Sequence, residues 1–311
     1  MQPQTIQTET SFQAPTEKRW KVWWNLLRPH TLTAAFVPVF IGTALALYDT
    51  SIDWPLFFAM LLASLLIQAA TNMINEYYDY KKGLDNENSV GIGGAIVRHG
   101  VKPSTVLQLA FAFFGIATLL GVYICMNSTW WLAAIGTACM AAGYFYTGGP
   151  YPIAYTPFGE IVAGFFMGFV IILISFYIQT GTISDIPMLI SIPISILVGA
   201  ILLANNIRDI VGDKENGRKT VAILVGRKNA ILLLAAMFIV SYALIVLFIA
   251  LGYASFWLLL VFLSAAKPLS AIKGFTNNNS NVTMMPAMVA TAKTNTIFGF
   301  LLGIGLVIGY F

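Results

Sequence analysis

Charge is what this sequence has least of. Only 10% of its 311 residues are charged, while 58% fall in the hydrophobic set; an ordinary water-soluble domain is roughly a quarter charged. Water is therefore excluded as the main solvent of the fold. Cysteine is also scarce: Cys125 and Cys139 sit in apolar surroundings without ligand spacing. That argues against a disulfide framework or a zinc site and leaves both thiols as packing residues. Histidine is limited to His30 and His99, so no strong general base is evident. Residues 1–18, rich in Gln, Thr and Ser, lack the apolar block of a cleaved signal peptide. They are expected to form a disordered cytosolic tail. No long polar stretch follows that could fold separately, so residues 19–311 are read as one membrane domain.

What the sequence does have is apolar runs. A helix needs about 20 apolar residues to cross the hydrocarbon core, and nine candidate spans are expected: about 32–48, 54–75, 104–126, 129–147, 159–177, 186–208, 229–251, 255–273 and 287–311. Lys293 interrupts the last of these at its start. With the N-terminus inside, 16 of the 17 Lys and Arg residues fall on inner segments and none on the outer connections. By the positive-inside rule this sets the orientation, with N-terminus and polar sites facing the cytoplasm of a plasma-membrane protein. The net charge of +4 then needs no nucleic-acid partner, because the inner surface and its anionic lipids account for it. Trp20, Trp23, Trp24 and Leu27, at helical spacing, are expected to lie on that surface as an interfacial helix.

Acids are rare, and seven of the 13 gather in two stretches or, for Glu87, two residues past the first. NMINEYYDYKKGLD, from Asn72 to Asp85, leaves the second apolar run; NNIRDIVGDKENGRKT, from Asn205 to Thr220, leaves the sixth. If each helix continues, Asn72, Asn75 and Asp79 share one face, as do Asn205, Asp209 and Asp213. Glu76, Glu87 and Glu215 fall off those faces and are expected to be solvated. Both stretches contain Asn-x-x-x-Asp followed by basic residues and a glycine, which suggests two related halves with motifs at 72–85 and 205–220.

Carboxylate and amide oxygens are hard ligands of the kind magnesium takes, usually with substrate phosphates completing the shell. Asn75, Asp79, Asp85, Asn205, Asp209 and Asp213 are the expected metal ligands. Asp79, Asp209 and Arg208 are assigned to catalysis at a bound diphosphate. Lys81, Lys82, Arg98, Lys214, Arg218 and Lys219 would balance its charge. Asn72, Tyr146 and Tyr151 complete the substrate-binding set, the tyrosines because aromatic faces stabilise cations such as an allylic carbocation.

These two stretches, together with RPHTLTAAFVPVFIGTALAL from Arg28, resemble the UbiA superfamily of intramembrane prenyltransferases, and the resemblance runs from about Arg28 to Phe311. Within it, the chain is most similar to the members that use 1,4-dihydroxy-2-naphthoate in menaquinone synthesis. The resemblance implies an all-α integral membrane fold of about nine helices around a central cavity open sideways to lipid. It also implies magnesium bound through the two motifs, and transfer of a polyprenyl group from polyprenyl diphosphate to the naphthoate. Carbon dioxide and diphosphate would be lost and demethylmenaquinone formed. One departure stands out: Lys82 occupies the position of the superfamily's third motif-one acid, and Asp85 is the expected substitute. Related enzymes acting on 4-hydroxybenzoate, haem or a chlorin are the nearer alternative. A secondary transporter is the distant one, and it would put polar sites at mid-membrane rather than at one face.

Overall fold

The computed structural model describes residues 19–84 and 94–310. The tail at 1–18 and Asp85 lie outside the described residues. Everything described is helix, turn or loop. In chain order the helices are α1 (Arg19–Leu27), α2 (Pro29–Ala46), α3 (Trp54–Lys81), α4 (Pro103–Asn127), α5 (Trp131–Thr147), α6 (Gly159–Ala163), α7 (Ile171–Thr180), α8 (Asp185–Arg208), α9 (Ile210–Glu215), α10 (Val221–Val225), α11 (Arg227–Ala250), α12 (Ala266–Asn277) and α13 (Asn281–Tyr310). A π-helical stretch, Gly164–Val170, joins α6 to α7 in one span, and a 3₁₀ stretch, Phe256–Ser264, precedes α12.

Local chemistry sets several of these boundaries. Pro29 and Pro103 open α2 and α4, where a missing N–H costs no hydrogen bond. Asp53 caps α3, its Oδ1 accepting from the Leu56 amide at 3.0 Å. Gly181 ends α7 at φ 70°, a left-handed conformation that an L side chain disfavours.

Each of the nine expected segments is found within helix, yet the crossings fall short of nine by length. Among the described residues seven helical spans are long and apolar enough to cross a bilayer, and an eighth counts if Trp20–Leu27 and Thr31–Ala46, bent by 55°, are one span. Helix α5 has only 17 residues, about 25 Å at 1.5 Å per residue. The last span starts earlier than its sequence suggests: α13 begins at Asn281 and passes Lys293 without a break. The Lys293 side chain is exposed on the helix surface, so its polarity does not interrupt the backbone. Lipid-facing positions are apolar, as with Leu119 and Leu263.

Between helices in hydrocarbon the water-driven attraction is absent, and close backbone approach takes its place. Gly164 and Gly168 show this against α8: a Cβ on either would come within 2.5 Å of Ser195 backbone atoms. The largest core joins α2, α7, α8, α11 and α13. A second joins α1, α3, α4 and the stretch at Ala95–Ile96. A third ties the start of α3 to α4, α5 and α7. Helix α1 buries Val22 and Leu26 and leaves Trp20, Trp23 and Trp24 exposed. The cavity lies between the α3–α5 group and the α8–α13 group.

Candidate active site

Helices α3 and α8 end at the same end of the bundle, and their polar C-terminal turns face one cavity of about 770 Å³. Asn72, Asn75 and Asp79 all line it, so the expected shared face of α3 is realised. Motif two is built differently. Helix α8 stops at Arg208, Asp209 adopts φ −95° and ψ 9°, and α9 begins at Ile210. Backbone bonds from Asp209 N to Asn205 O (3.0 Å) and from Asp213 N to Asp209 O (2.9 Å) keep the turns in step across the bend. Asn205, Arg208, Asp209 and Asp213 therefore still line the cavity.

Arg218 ties the motifs together. Its Nη1 donates to Asp213 Oδ1 at 3.0 Å and its Nη2 to Asp79 Oδ1 at 3.1 Å, while the guanidinium stands 5.2 Å from the Tyr155 ring centre. Burial works against the Arg218 charge, but Asp213, Asp79 and Tyr155 outweigh it and raise its pKa. Burial pushes Asp213 up to about 6, against the opposing pull of Arg218. Asp213 Oδ2 is buried without a hydrogen-bond partner.

Arg208 forms a two-pronged pair with its neighbour Asp209, Nε to Oδ1 at 2.8 Å and Nη2 to Oδ2 at 2.5 Å. Its Nη1 points at the sulfurs of Met285 and Met288 on α13. Asn75 Oδ1 accepts from the Thr147 hydroxyl at 2.6 Å. The Asn72 amide is largely committed to structure, donating to Leu27 O and Thr31 Oγ1. Arg98 lines the cavity beside Gly94, where φ is 105° and a Cβ would strike the Arg98 guanidinium. Tyr146 lines it from α5.

Five residues expected to bind substrate stand outside the lining. Lys81, Lys214 and Lys219 are exposed, and Tyr151 is 89% exposed. Lys82 is also outside it: Nζ donates to Thr147 O at 2.9 Å and sits 4.7 Å from the Tyr155 ring centre. Burial, with Arg218 nearby, lowers its pKa despite Asp79. Glu76 overturns its solvated expectation. It is 1% exposed, and its Oε1 accepts from the Ile96 amide at 3.1 Å, because the stretch after motif one folds back over it. Sequence reasoning also missed Thr147, Asn206 and Glu160 as neighbours of the site. Glu160 carries the one retrievable signal, a lone acid at the start of an apolar run.

The donor set suits a divalent metal in kind: Asn75, Asp79, Asn205, Asp209 and Asp213 offer hard oxygens, and Asp213 Oδ2 is buried with no hydrogen-bond partner to compete for it. Among the described residues no three His, Cys, Asp or Glu side chains gather as a ready metal cluster; the Arg218 guanidinium bridges the acids instead. Beyond the motifs the cavity turns apolar. Met140, Phe166 and Ile201 line it towards Ile124 and Trp130 at the far end.

The sequence profile of the UbiA prenyltransferase family matches residues 35–288. The chain belongs to that family. A Bacillus subtilis relative, 1,4-dihydroxy-2-naphthoate octaprenyltransferase, is 59% identical over 308 residues, covering 99% of each chain. The Escherichia coli protein of the same name is 28% identical over 300 residues, covering 90% of this chain and 94% of that one. Among solved structures, a UbiA homolog from Aeropyrum pernix K1 superposes with a TM-score of 0.66 at 16% identity, covering 88% of this chain and 97% of that one. A UbiA homolog from Archaeoglobus fulgidus, solved with DMAPP and Mg2+, gives 0.61 at 18% identity, covering 91% and 99%. At such identities the likeness is one of fold: UbiA members share this all-α membrane bundle.

Proposed function

We propose that this protein is a magnesium-dependent prenyltransferase that joins a polyprenyl group to 1,4-dihydroxy-2-naphthoate, releasing diphosphate and carbon dioxide and giving demethylmenaquinol, the reduced form of demethylmenaquinone. The observation that carries this reading is one cavity with a polar end, where the two Asn-x-x-x-Asp motifs meet at Arg218, and a long apolar arm. A donor with a charged diphosphate head and a hydrocarbon tail has this same division. The near full-length identity to the Bacillus subtilis enzyme supports the naphthoate as acceptor. The concentration of Lys and Arg at the motif end supports a cytoplasmic site in the plasma membrane.

In this reading the apolar arm takes the prenyl chain and the motif end takes the diphosphate. Asn75, Asp79, Asn205, Asp209 and Asp213 would hold magnesium, which supplies Lewis-acid stabilisation to the departing diphosphate. Arg218 is poised to exchange carboxylate contacts for phosphate oxygens, and Arg98 adds a second guanidinium at the cavity wall. The allylic carbon–oxygen bond breaks with its electron pair going to diphosphate. The naphthoate ring carbon that bears the carboxylate then bonds to the allylic carbon. Loss of carbon dioxide returns an electron pair to the ring, so no proton acceptor is required at that carbon.

Incubating purified protein with magnesium, a polyprenyl diphosphate and 1,4-dihydroxy-2-naphthoate should give demethylmenaquinol, recovered as demethylmenaquinone after oxidation in air, and EDTA should stop it. Product from 4-hydroxybenzoate and none from the naphthoate would overturn the acceptor assignment. Full turnover in EDTA would overturn the metal.

A further inference from the structure

The polar wall of the cavity continues past motif two to a carboxyl group that neither motif uses. Glu160, at the start of α6, is 8% exposed. Its Oε1 accepts from Asn206 Nδ2 at 2.9 Å, and its Oε2 is buried with no hydrogen-bond partner. An orphaned carboxylate oxygen in such a place is costly. Asn206 follows the motif residue Asn205 and lines the cavity, as does Tyr146. The backbone before Glu160 is pressed against Tyr146, since a Cβ on Gly159 would lie 3.1 Å from the Tyr146 hydroxyl. Tyr146 thus stands at the cavity wall beside the backbone that carries the buried carboxyl.

Giving its amide N–H to Glu160 leaves Asn206 Oδ1 as the atom offered to the cavity, an acceptor for a hydroxyl. The naphthoate has one hydroxyl on the carbon next to the one that reacts. When the reacting carbon bonds to the allylic cation, positive charge passes to the ring and is shared by that neighbouring oxygen. A fixed negative charge behind the group that holds it lowers the energy of this cation and needs no reorganisation.

We propose that Glu160 is a positioning residue of the aromatic acceptor's subsite: through Asn206 it orients a ring hydroxyl and stabilises the positive charge that develops on the ring. The step balances without Glu160 gaining or losing a proton, because the electron pair from the carboxylate bond neutralises the ring as carbon dioxide leaves. The inference rests on the prenyl-transfer reading above.

The test is steady-state kinetics on the full chain with magnesium, geranyl diphosphate and 1,4-dihydroxy-2-naphthoate, comparing wild type with E160Q, E160D and N206A. Gln matches Glu in size and can still accept from Asn206, whereas Asp keeps the charge but shortens the reach. A role in charge stabilisation therefore ranks E160D above E160Q; a role as a structural hydrogen-bond acceptor ranks them the other way. The expected result is a kcat about 100-fold lower in E160Q, partial rescue in E160D, and an unchanged KM for geranyl diphosphate in both. N206A should raise the acceptor KM about tenfold and leave the donor KM alone. Wild-type kcat in E160Q, E160Q outperforming E160D, or an N206A effect confined to the donor KM would each overturn the proposal. Absence of product from wild type would instead sink the prenyl-transfer reading before any variant is compared.

Discussion

The two motifs have matching letters and unlike structures. Motif one is carried on an unbroken helix: α3 runs through Asn72, Asn75 and Asp79 to Lys81. Motif two bends at Asp209, and the chain beyond α9 turns at Gly217, φ 75°, to bring Arg218 back into the cavity. The basic residues differ in the same way. Those of motif one, Lys81 and Lys82, stay outside the lining, and those of motif two divide, with Lys214 and Lys219 exposed and Arg218 inside. A straight helix presents its acids but cannot fold its own next residues over them. The bent segment can, and so one side of the site supplies a cation that contacts acids of both.

That contrast is best broken at its acids. D79A and D209A should each reduce turnover by at least about a thousandfold, with a melt in detergent that stays cooperative and shifts down, because each leaves a guanidinium short of a carboxylate. Near-normal product from either would show that the two motifs do not act together. R218A comes next. It leaves Asp213 and Asp79 without their shared partner, and breaking a buried pair costs about 3 kcal/mol or more. Turnover should fall about 100-fold with a lowered Tm, while K219A, one residue on and exposed, should lose neither; equal losses in the two would mean that the inward turn of Arg218 is irrelevant.

Much of this was legible because it is local. Apolar length and the positions of Lys and Arg place the helices, and Asn-x-x-x-Asp spacing identifies the faces that line the cavity. What was not legible depends on chain segments meeting. Glu76 reads as a solvated acid until Ile96 donates to it from 20 residues away. Asn72 shares a helix face with Asn75 and Asp79, and the bonds from its amide nitrogen to Leu27 and Thr31, 45 and 41 residues away, are not readable from that spacing. Lys81, Lys82, Lys214, Arg218 and Lys219 look interchangeable in sequence, and only the turn at Gly217 separates Arg218 from the rest. Helix α5 crosses on paper because its residues are apolar, but length is decided by where Gly148 and Trp130 stop it.

Asp213 sharpens the comparison in a different quantity, stability. Its pKa is about 6 in the folded protein, against about 3.9 in an unfolded chain. A raised acid holds its proton more tightly when folded, so its contribution is most favourable below about pH 4 and is lost as pH rises to about 6. Two pKa units correspond to about 3 kcal/mol. D213N removes that ionisation and should therefore raise Tm at pH 7.5, flatten the dependence of Tm on pH between 4 and 6, and lower turnover. A D213N protein that melts below wild type at pH 7.5 would show that the ion pair with Arg218 outweighs the burial of Asp213.

The smallest expected effects belong to the cations left outside. Lys81 lies 6.0 Å from the Tyr77 ring centre, a contact worth about 0.5–1 kcal/mol at an exposed site, and Lys214 is exposed on α9. If the diphosphate is gripped only by groups that line the cavity, K81A and K214A should each change kcat and donor KM by less than about twofold, with any KM rise screened out at high salt. If either lysine instead closes onto the diphosphate when the donor binds, the change will survive high salt and appear in kcat. Such a result in K81A alone would be informative, because it would give motif one a cation of its own and restore the symmetry that the bend at Asp209 removes.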